Sequence, residues 1–458
     1  MRPSVIAHRD GLGPAAHDLL ARLVSPLTGL QRTLAVPLRD DGYPRVVVVT
    51  GQLTSVHRLL GLDEPLQYHI GGYGLHVEEA LMRVLGESVE RYAHMICGTD
   101  RTRAVERGTL AEMRARHGHG GVLAVDAMRF FTAEQLARPG FPVQPWRPDA
   151  DLGWVRAENV ATGGPLWLPA QLAIVGYLRP RPAEGRAPEP WLVPAITTGT
   201  AAHTVPVRAL RSALFELVQG HVATGHWYSD HPAPAIVPDD ARTPALRRLL
   251  ERDMPRHRCR IRFHRLGGDG FGLHVVAGVL ESLAEGEVPA VALGLGVDTR
   301  LETAMYKAYL ETSAMPYLAI LNLAKEGRID DARALARTGI DNLDDNVFLY
   351  ALPENRKAID ERFPPGLRVA ASDLPSDRSR DADPGLELRE LTRRILARGA
   401  TLALLDLTSP EIADLGFQVY RFYSPELLPF GLPSYPPAAH PAFAEFGGLT
   451  HDRPHPYA

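Results

Sequence analysis

Three stretches of this chain share one layout, and that repetition constrains the fold more than any other feature. In GGYGLHVEEALMRVLGESVERYAH (71–94), GTAAHTVPVRALRSALFELVQGH (199–221) and GLGVDTRLETAMYKAYLETSA (294–314), glycines lead into apolar residues at helical spacing. Glu87, Glu216 and Glu311 then follow Ala80, Ala209 and Ala304 by the same interval of seven residues. The glycines predict a turn ahead of each helix. Unequal spacing between the units excludes a solenoid. The pattern points instead to one core that uses a strand, turn and helix piece three times, with the acidic positions converging. Chance similarity is the competing explanation, because Ala and Leu are common in any helix. In the first unit Glu87 and Glu90 lie on one helical face, where like charges repel unless a cation or hydrogen-bond donors stand between them. Such a pair can bind Mg²⁺ if the face points into a cleft. The alternative is a solvated helix edge with an ion pair to Arg91.

Length and composition narrow the class. With 458 residues, the chain fits two to three domains or one large α/β domain with insertions. At 45% hydrophobic and 23% charged residues it resembles an ordinary soluble globular protein. A net charge of -4 argues against nucleic-acid binding by bulk electrostatics. Cys97 and Cys259 form no CxxC and have no metal-ligand spacing, which suits a reducing compartment. There is no long apolar run and no signal-type N-terminus, so a cytoplasmic protein with no membrane span is expected.

In chain order, a helix is expected from about Gly13 to Val24, followed by the strands TLAVPL and VVVVT (46–50). His117 and His119 in HGHGG read as exposed imidazoles of a glycine-rich loop rather than metal ligands. Residues 151–177 read as two strands around a Thr-Gly-Gly turn, and the proline-rich 178–191 as a surface loop. His226, Trp227, Tyr228, Asp230 and His231 either line a site or cap a core. From Arg256, RHRCRIRFHR predicts a solvent-edged strand with a basic stripe, either a solvated face or a place for an anion such as triphosphate. Two strands (273–280 and 289–296), a helix over 386–398, the strand TLALLDL, the short helix PEIADLG and the strand FQVYRFY follow. The alternation predicts α/β or α+β with a mixed sheet. Prolines from Leu428 to Ala458 exclude a helix or central strand, and the Tyr and Phe residues there favour a tail laid across the body. No phosphate loop, kinase set, HExxH or GxSxG is present, and GGDGFG (267–272) is a weak match to a glycine loop. Any nucleotide phosphates must then be held through metal on carboxylates.

The first unit, a glycine-rich piece ahead of a helix ending in GESVER, resembles the signature of the YcaO superfamily. Further pieces resemble its streptolysin-type cyclodehydratase D branch: SPLTGL (25–30), GWVRAENVATGGPLWLPAQL (153–172), the units ending in Glu216 and Glu311, NLDDNVFLYALPENRKAIDERF (342–363), LALLDLTSPEIADLGFQVYRFYSPELLPF (402–430) and the final PHPYA. The likeness is collinear over nearly the whole chain. It implies a mixed α+β domain of repeated strand-turn-helix units. Residues 1–65 would be part of its body, 66–430 the ATP-binding catalytic domain and 431–458 an extended tail.

The activity the resemblance implies is an ATP- and Mg²⁺-dependent cyclodehydratase that installs thiazoline or oxazoline rings at Cys, Ser or Thr of a ribosomal precursor peptide. Glu87, Glu90, Glu216 and Glu311 would hold Mg²⁺ and act in catalysis. Gly72, Tyr73, Gly74, Arg83, Arg91, His203 and Gln219 occupy its nucleotide-contacting positions. A separate leader-peptide-binding partner protein is implied, and a homodimer is compatible. Two alternatives accompany this reading: thioamide formation with a sulfur-donating partner, and a catalytically silent subunit that binds peptide or scaffolds a complex. The second is motivated by departures from the family pattern. Tyr73 stands for the usual Lys, Arg83 for Ser, His203 for Asn, Gln219-Gly220 for Glu-Arg, Asp298 for His and Ala314 for Gln. Arg83 would either touch a phosphate or pair with Glu87.

Overall fold

The computed structural model describes residues 12–38, 42–54, 56–63, 69–97, 105–124, 130–179, 188–193, 196–254, 258–323, 340, 343, 345–377 and 383–458. Most of the expected proline-rich loop (180–187), the start of the basic stretch (255–257) and parts of the region before Asp383 lie outside them.

The first strands are β1 (Gln31–Ala35), β2 (Val47–Leu53) and β3 (His69–Gly74), an antiparallel sheet in that order. Next come β4 (Glu106–Gly108), β5 (Leu152–Asn159), β6 (Pro165–Pro169) and β7 (Thr200–His203). A third group is β8 (Ala235–Val237), β9 (Cys259–Gly267), β10 (His274–Ser282), β11 (Val291–Asp298) and β12 (Arg368–Ala370). Last are β13 (Ala403–Asp406) and β14 (Gln418–Tyr423). One further sheet runs β4-β5-β13-β14-β7 with β6 on β5, and the other runs β11-β10-β9-β8-β12. Both are antiparallel apart from the parallel β8–β12 pair, so the fold is mixed α+β as expected. Helices that matter here are α1 (Pro14–Leu23), α2 (Val77–Ile96), α3 (Leu110–His117), α4 (Pro206–Trp227), α5 (Leu301–Leu323) and α6 (Pro384–Ala397).

The three long helices α2, α4 and α5 each follow a strand, β3, β7 and β11, as the repeated layout predicts. The glycines do different work from the turns expected of them. Gly72 and Gly74 lie inside β3, and Gly294 and Gly296 inside β11, none with positive φ. A Cβ on Gly72 would stand 2.2 Å from the Ala80 carbonyl oxygen, and one on Gly296 2.1 Å from that of Ala304. Each glycine therefore marks where the following helix lies directly on its own strand, which side chains would prevent. Only the second unit has a turn glycine, Gly199 at φ +86° ahead of β7.

Each helix buries its apolar stripe in a separate core. Ala80, Val84, Leu85 and Val89 of α2 pack with Val49, Ile70 and Val419. Ala213, Leu214 and Val218 of α4 pack with Val275, Leu293 and Ile395. Ala304, Met305 and Ala308 of α5 pack with Val276 and Ala292. Burying side chains of this size contributes about 1.5–3 kcal/mol each, enough to fix how far along each helix its glutamate sits.

Four expectations are corrected or decided. Strand β9 lies between β10 and β8, inside its sheet rather than at a solvent edge. Its stripe is neutralised internally: Arg260 and Arg262 pair with the buried Glu281, and Arg265 with Asp269, so these arginines are engaged. His226, Trp227 and Tyr228 are fully buried and cap a core. The tail is laid across the body: Trp227 Nε1 donates to the Arg453 carbonyl at 3.0 Å, Asn346 donates to the carbonyls of His455 and Tyr457, and Tyr457 is buried. His117 is less exposed than expected, stacking on Trp167 at 4.6 Å with Nε2 2.5 Å from Glu106, whereas His119 is exposed.

Candidate active site

Glutamates from all three helices meet where α2, α4 and α5 approach one another. Glu90 is buried, and its carboxyl is held well above the usual range by burial first and then by the negative charges of Glu87 and Glu216. Glu216 is pushed up to about 8 by burial and by Glu87, with Glu311 adding to the effect. Glu311 is pushed up to about 7, mainly by burial, with Glu87 adding to it against the hydrogen bonds it accepts. Four carboxyl groups thus lie within electrostatic reach of one another, and the convergence predicted from the repeat is present.

Cations and donors are interleaved with them. Arg91 Nη2 lies 2.5 Å from Glu87 Oε1, and its Nη1 lies 3.6 Å from Glu90 Oε1. Arg421, buried in β14, opposes the upward shifts of Glu90 and Glu216. Glu311 accepts from the Leu295 backbone N–H at 2.9 Å and from the Tyr73 hydroxyl at 3.3 Å. Burial and the Glu311 charge raise the Tyr73 pKa, so the phenol keeps its proton and remains a donor. Glu216 has no hydrogen bond or ion pair among the described residues, although it feels four neighbouring charges, those of Glu87, Glu311, Arg91 and Arg421.

A basic cluster adjoins this group. Lys307, four residues before Glu311, donates to Asp298 Oδ2 and to the Val297 carbonyl, both at 2.9 Å. Arg211 of α4 reaches Asp298 at 3.3 Å and pairs with Glu387 of α6, which also accepts from Thr299. Burial lowers the Lys307 pKa against the pull of Asp298, and Arg211 and Arg83 lower it further.

The other positions expected to contact nucleotide divide. Arg83 pairs with Glu79 at 3.0 Å, not with Glu87, and its guanidinium lies 5.8 Å from the Tyr73 ring centroid. Glu79 also accepts from the Tyr306 hydroxyl at 3.1 Å. Gly72 and Gly74 are buried beneath α2 rather than open to a ligand. His203 closes the turn into α4 by accepting from the Val205 N–H at 2.8 Å, and burial keeps its ring neutral. Gln219 lies one turn beyond Glu216 and is half-buried.

Sequence reasoning missed Arg421, Lys307, Arg211, Glu79 and Tyr306. Arg421 had a signal, being the lone charge in the apolar strand FQVYRFY, and buried charges are rarely incidental. Lys307 had another, the helical spacing to Glu311. Arg211 and Tyr306 find their partners only through tertiary contact.

Among the described residues, no three His, Cys, Asp or Glu side chains are gathered into a metal cage. The carboxylates are near enough to repel but are not preset around one point. That suits Mg²⁺, which usually takes one or two carboxylates together with phosphate oxygens and water rather than an all-protein cage. Hard oxygen donors whose ionisation is opposed by burial and by one another fit such a cation, and Lys307, Arg211 and Arg91 fit phosphate.

A family model described as YcaO cyclodehydratase, ATP- and Mg²⁺-binding, matches residues 71–428. No curated protein matches the chain. Among solved structures, a heterocyclase in complex with substrate and cofactor superposes with a TM-score of 0.71 at 20% identity, over 96% of this chain and 57% of that one. This chain therefore spans a little over half that protein's length. YcaO from Methanopyrus kandleri, bound with AMPPCP and Mg²⁺, gives 0.58 at 19% identity over 87% and 86% of the two chains. The E. coli microcin synthetase McbBCD complex gives 0.55 at 14% identity over 88% and 90%. At these identities the structural likeness shows the fold, and the family model carries the assignment. The chain belongs to the YcaO family, with ATP and Mg²⁺ as cofactors.

Proposed function

We propose that the protein is an ATP-dependent backbone cyclodehydratase that forms thiazoline or oxazoline rings at Cys, Ser or Thr of a ribosomal precursor peptide. The observation that carries this reading is the meeting of Glu87, Glu90, Glu216 and Glu311 from three separate helices, each raising its neighbours' affinity for positive charge. Glu87, Glu90, Glu216 and Glu311 are assigned to Mg²⁺. Arg91 and Lys307 are assigned to phosphate. ATP supplies the phosphoryl group that turns an amide oxygen, a very poor leaving group, into phosphate, a good one.

The residues on hand divide the remaining work. Arg91 holds Glu87 on the face it shares with Glu90, so both carboxylates stay on one side of α2. Tyr73 fixes the Glu311 carboxylate from one side and the Leu295 amide from the other, leaving it little freedom to turn. Asp298 restrains Lys307 and Arg211 together. Overall, the peptide loses one water per ring while ATP becomes ADP and phosphate. In this reading residues 66–430 form the catalytic domain, 1–65 belong to its body, and 431–458 form the tail. A separate protein that binds the leader delivers the precursor.

The test follows phosphate release and peptide mass together, with Mg-ATP, a candidate precursor peptide containing Cys, Ser and Thr, and a leader-binding partner. Loss of about 18 Da per ring, the mass of one water, with stoichiometric phosphate is expected. Peptide binding without phosphate above background would overturn the enzymatic reading and favour a peptide-binding subunit.

A further inference from the structure

A small pocket lies where α4, β14 and the C-terminal tail meet, walled by Phe130, Leu172, Leu217, Leu428 and Phe430 with Arg421. Its volume is about 60 Å³. A water takes roughly 10–15 Å³ by this measure. The room therefore suits one branched aliphatic side chain.

Arg421 gives this apolar space its chemistry. The side chain is only 4% exposed, and its Nη2 donates to the Leu172 carbonyl at 3.2 Å. Leu172 is itself a wall, so that bond places the guanidinium at the pocket. Among the described residues, Nε and Nη1 have no hydrogen-bond partner. Buried donors left unfilled are costly, and a ligand acceptor would relieve them. An amide carbonyl suits this site, because the walls around Arg421 are largely apolar and Glu90 and Glu216 already lie within its electrostatic reach. Arg421 lines the pocket and also feels the charges of Glu216 and Glu90, so it links this space to the proposed reaction site.

We propose that this pocket receives the compact aliphatic side chain of a substrate residue flanking the one that is modified, and that Arg421 donates to a backbone carbonyl of that segment. The inference rests on the peptide-substrate reading above and adds a preference for its local sequence. Val, Leu or Ile fits the pocket, while Gly leaves it empty and Trp exceeds it.

The test uses the full chain with Mg-AMPPCP present and three small probes titrated by saturation-transfer NMR: N-acetyl-leucinamide, N-acetyl-glycinamide and isovalerate. At least tenfold tighter binding of the leucinamide than of the glycinamide is expected. Val193 is a further wall of the pocket, and Val193→Phe, which fills it, should abolish that preference while leaving Mg-AMPPCP affinity unchanged. Arg421→Lys should weaken the leucinamide at least fivefold if the variant folds. If it does not fold, Val193→Phe decides alone. Equal binding of leucinamide and glycinamide, or a preference that survives Val193→Phe, would overturn the proposal. Tighter binding of isovalerate than of the amide would overturn it in favour of a free carboxylate ligand. Lack of peptide turnover would count against the cyclodehydratase reading and is measured separately.

Discussion

Replacing Glu216 with glutamine separates stability from activity. In the folded protein this carboxyl ionises near pH 8, because burial and Glu87 oppose its charge, whereas its ordinary value is 4.5. A raised folded-state pKa means that the native state holds the proton more tightly than the unfolded chain does. Its stabilising effect is fully present below about 4.5 and is lost as pH rises towards about 8. At pH 7, roughly 2.5 pH units above the ordinary value, the loss amounts to about 3 kcal/mol at 1.36 kcal/mol per unit. Glutamine keeps the shape without the titration, so Glu216→Gln should be more stable than wild type by about that amount at pH 7 and nearly equal at pH 4.5. With an unfolding entropy of roughly 2.1 cal/mol/K per residue, the expected rise in Tm is about 3 °C. Calorimetry in EDTA at the two pH values measures it. Added Mg-ATP should stabilise wild type and not the variant, and ATP hydrolysis should fall at least a hundredfold. A variant whose Tm is equal to or below wild type at pH 7, or whose difference does not change with pH, would refute a carboxyl whose proton is held this tightly at this position.

Further tests concern the frame around the site. Wild-type protein in EDTA should lose stability between pH 5 and pH 8 as Glu216 and Glu311 ionise, and Mg-ATP should flatten that slope in thermal melts. Gly72→Ala and Gly296→Ala place a Cβ near 2.2 and 2.1 Å from helix carbonyls, so each should destabilise by about 3 kcal/mol or more in denaturant titrations; a neutral result would mean that the helices do not lie on their strands. Arg83→Ala removes a half-exposed pair with Glu79 and should shift stability by less than about 1 kcal/mol, whereas a larger loss would point to a role beyond that ion pair. Removing residues 454–458 leaves Asn346 without its acceptors at His455 and Tyr457 and uncovers Trp227 and Phe430, against which the Tyr457 ring lies. Destabilisation of about 3 kcal/mol or more is expected, and an unchanged Tm would make the tail an appendage.

Much of the scaffold was legible because its signals are local. Apolar spacing located the three long helices, the alternation of strand and helix patterns indicated a mixed fold, and proline spacing with interspersed aromatics indicated an extended, docked tail. The glycines were singled out but assigned the wrong task. Local sequence cannot distinguish a glycine needed for a turn from one needed because a helix lies on it. Strand β9 misled for a similar reason. Alternating arginines look solvated until Glu281, from the neighbouring strand, is known to be buried beside them.

The sequence by itself determined that Glu87, Glu216 and Glu311 stand equally far into three helices, since helical geometry converts a repeated interval into a repeated position. It also determined the family, through motifs that run collinearly along the chain. Only the tertiary structure decided which charges share that site. Arg83 turns back to Glu79, Arg91 sits between Glu87 and Glu90, and Arg421 enters from a strand more than two hundred residues after Glu216. Electrostatic energy depends on distance and burial in space, and neither is encoded in the local spacing of residues.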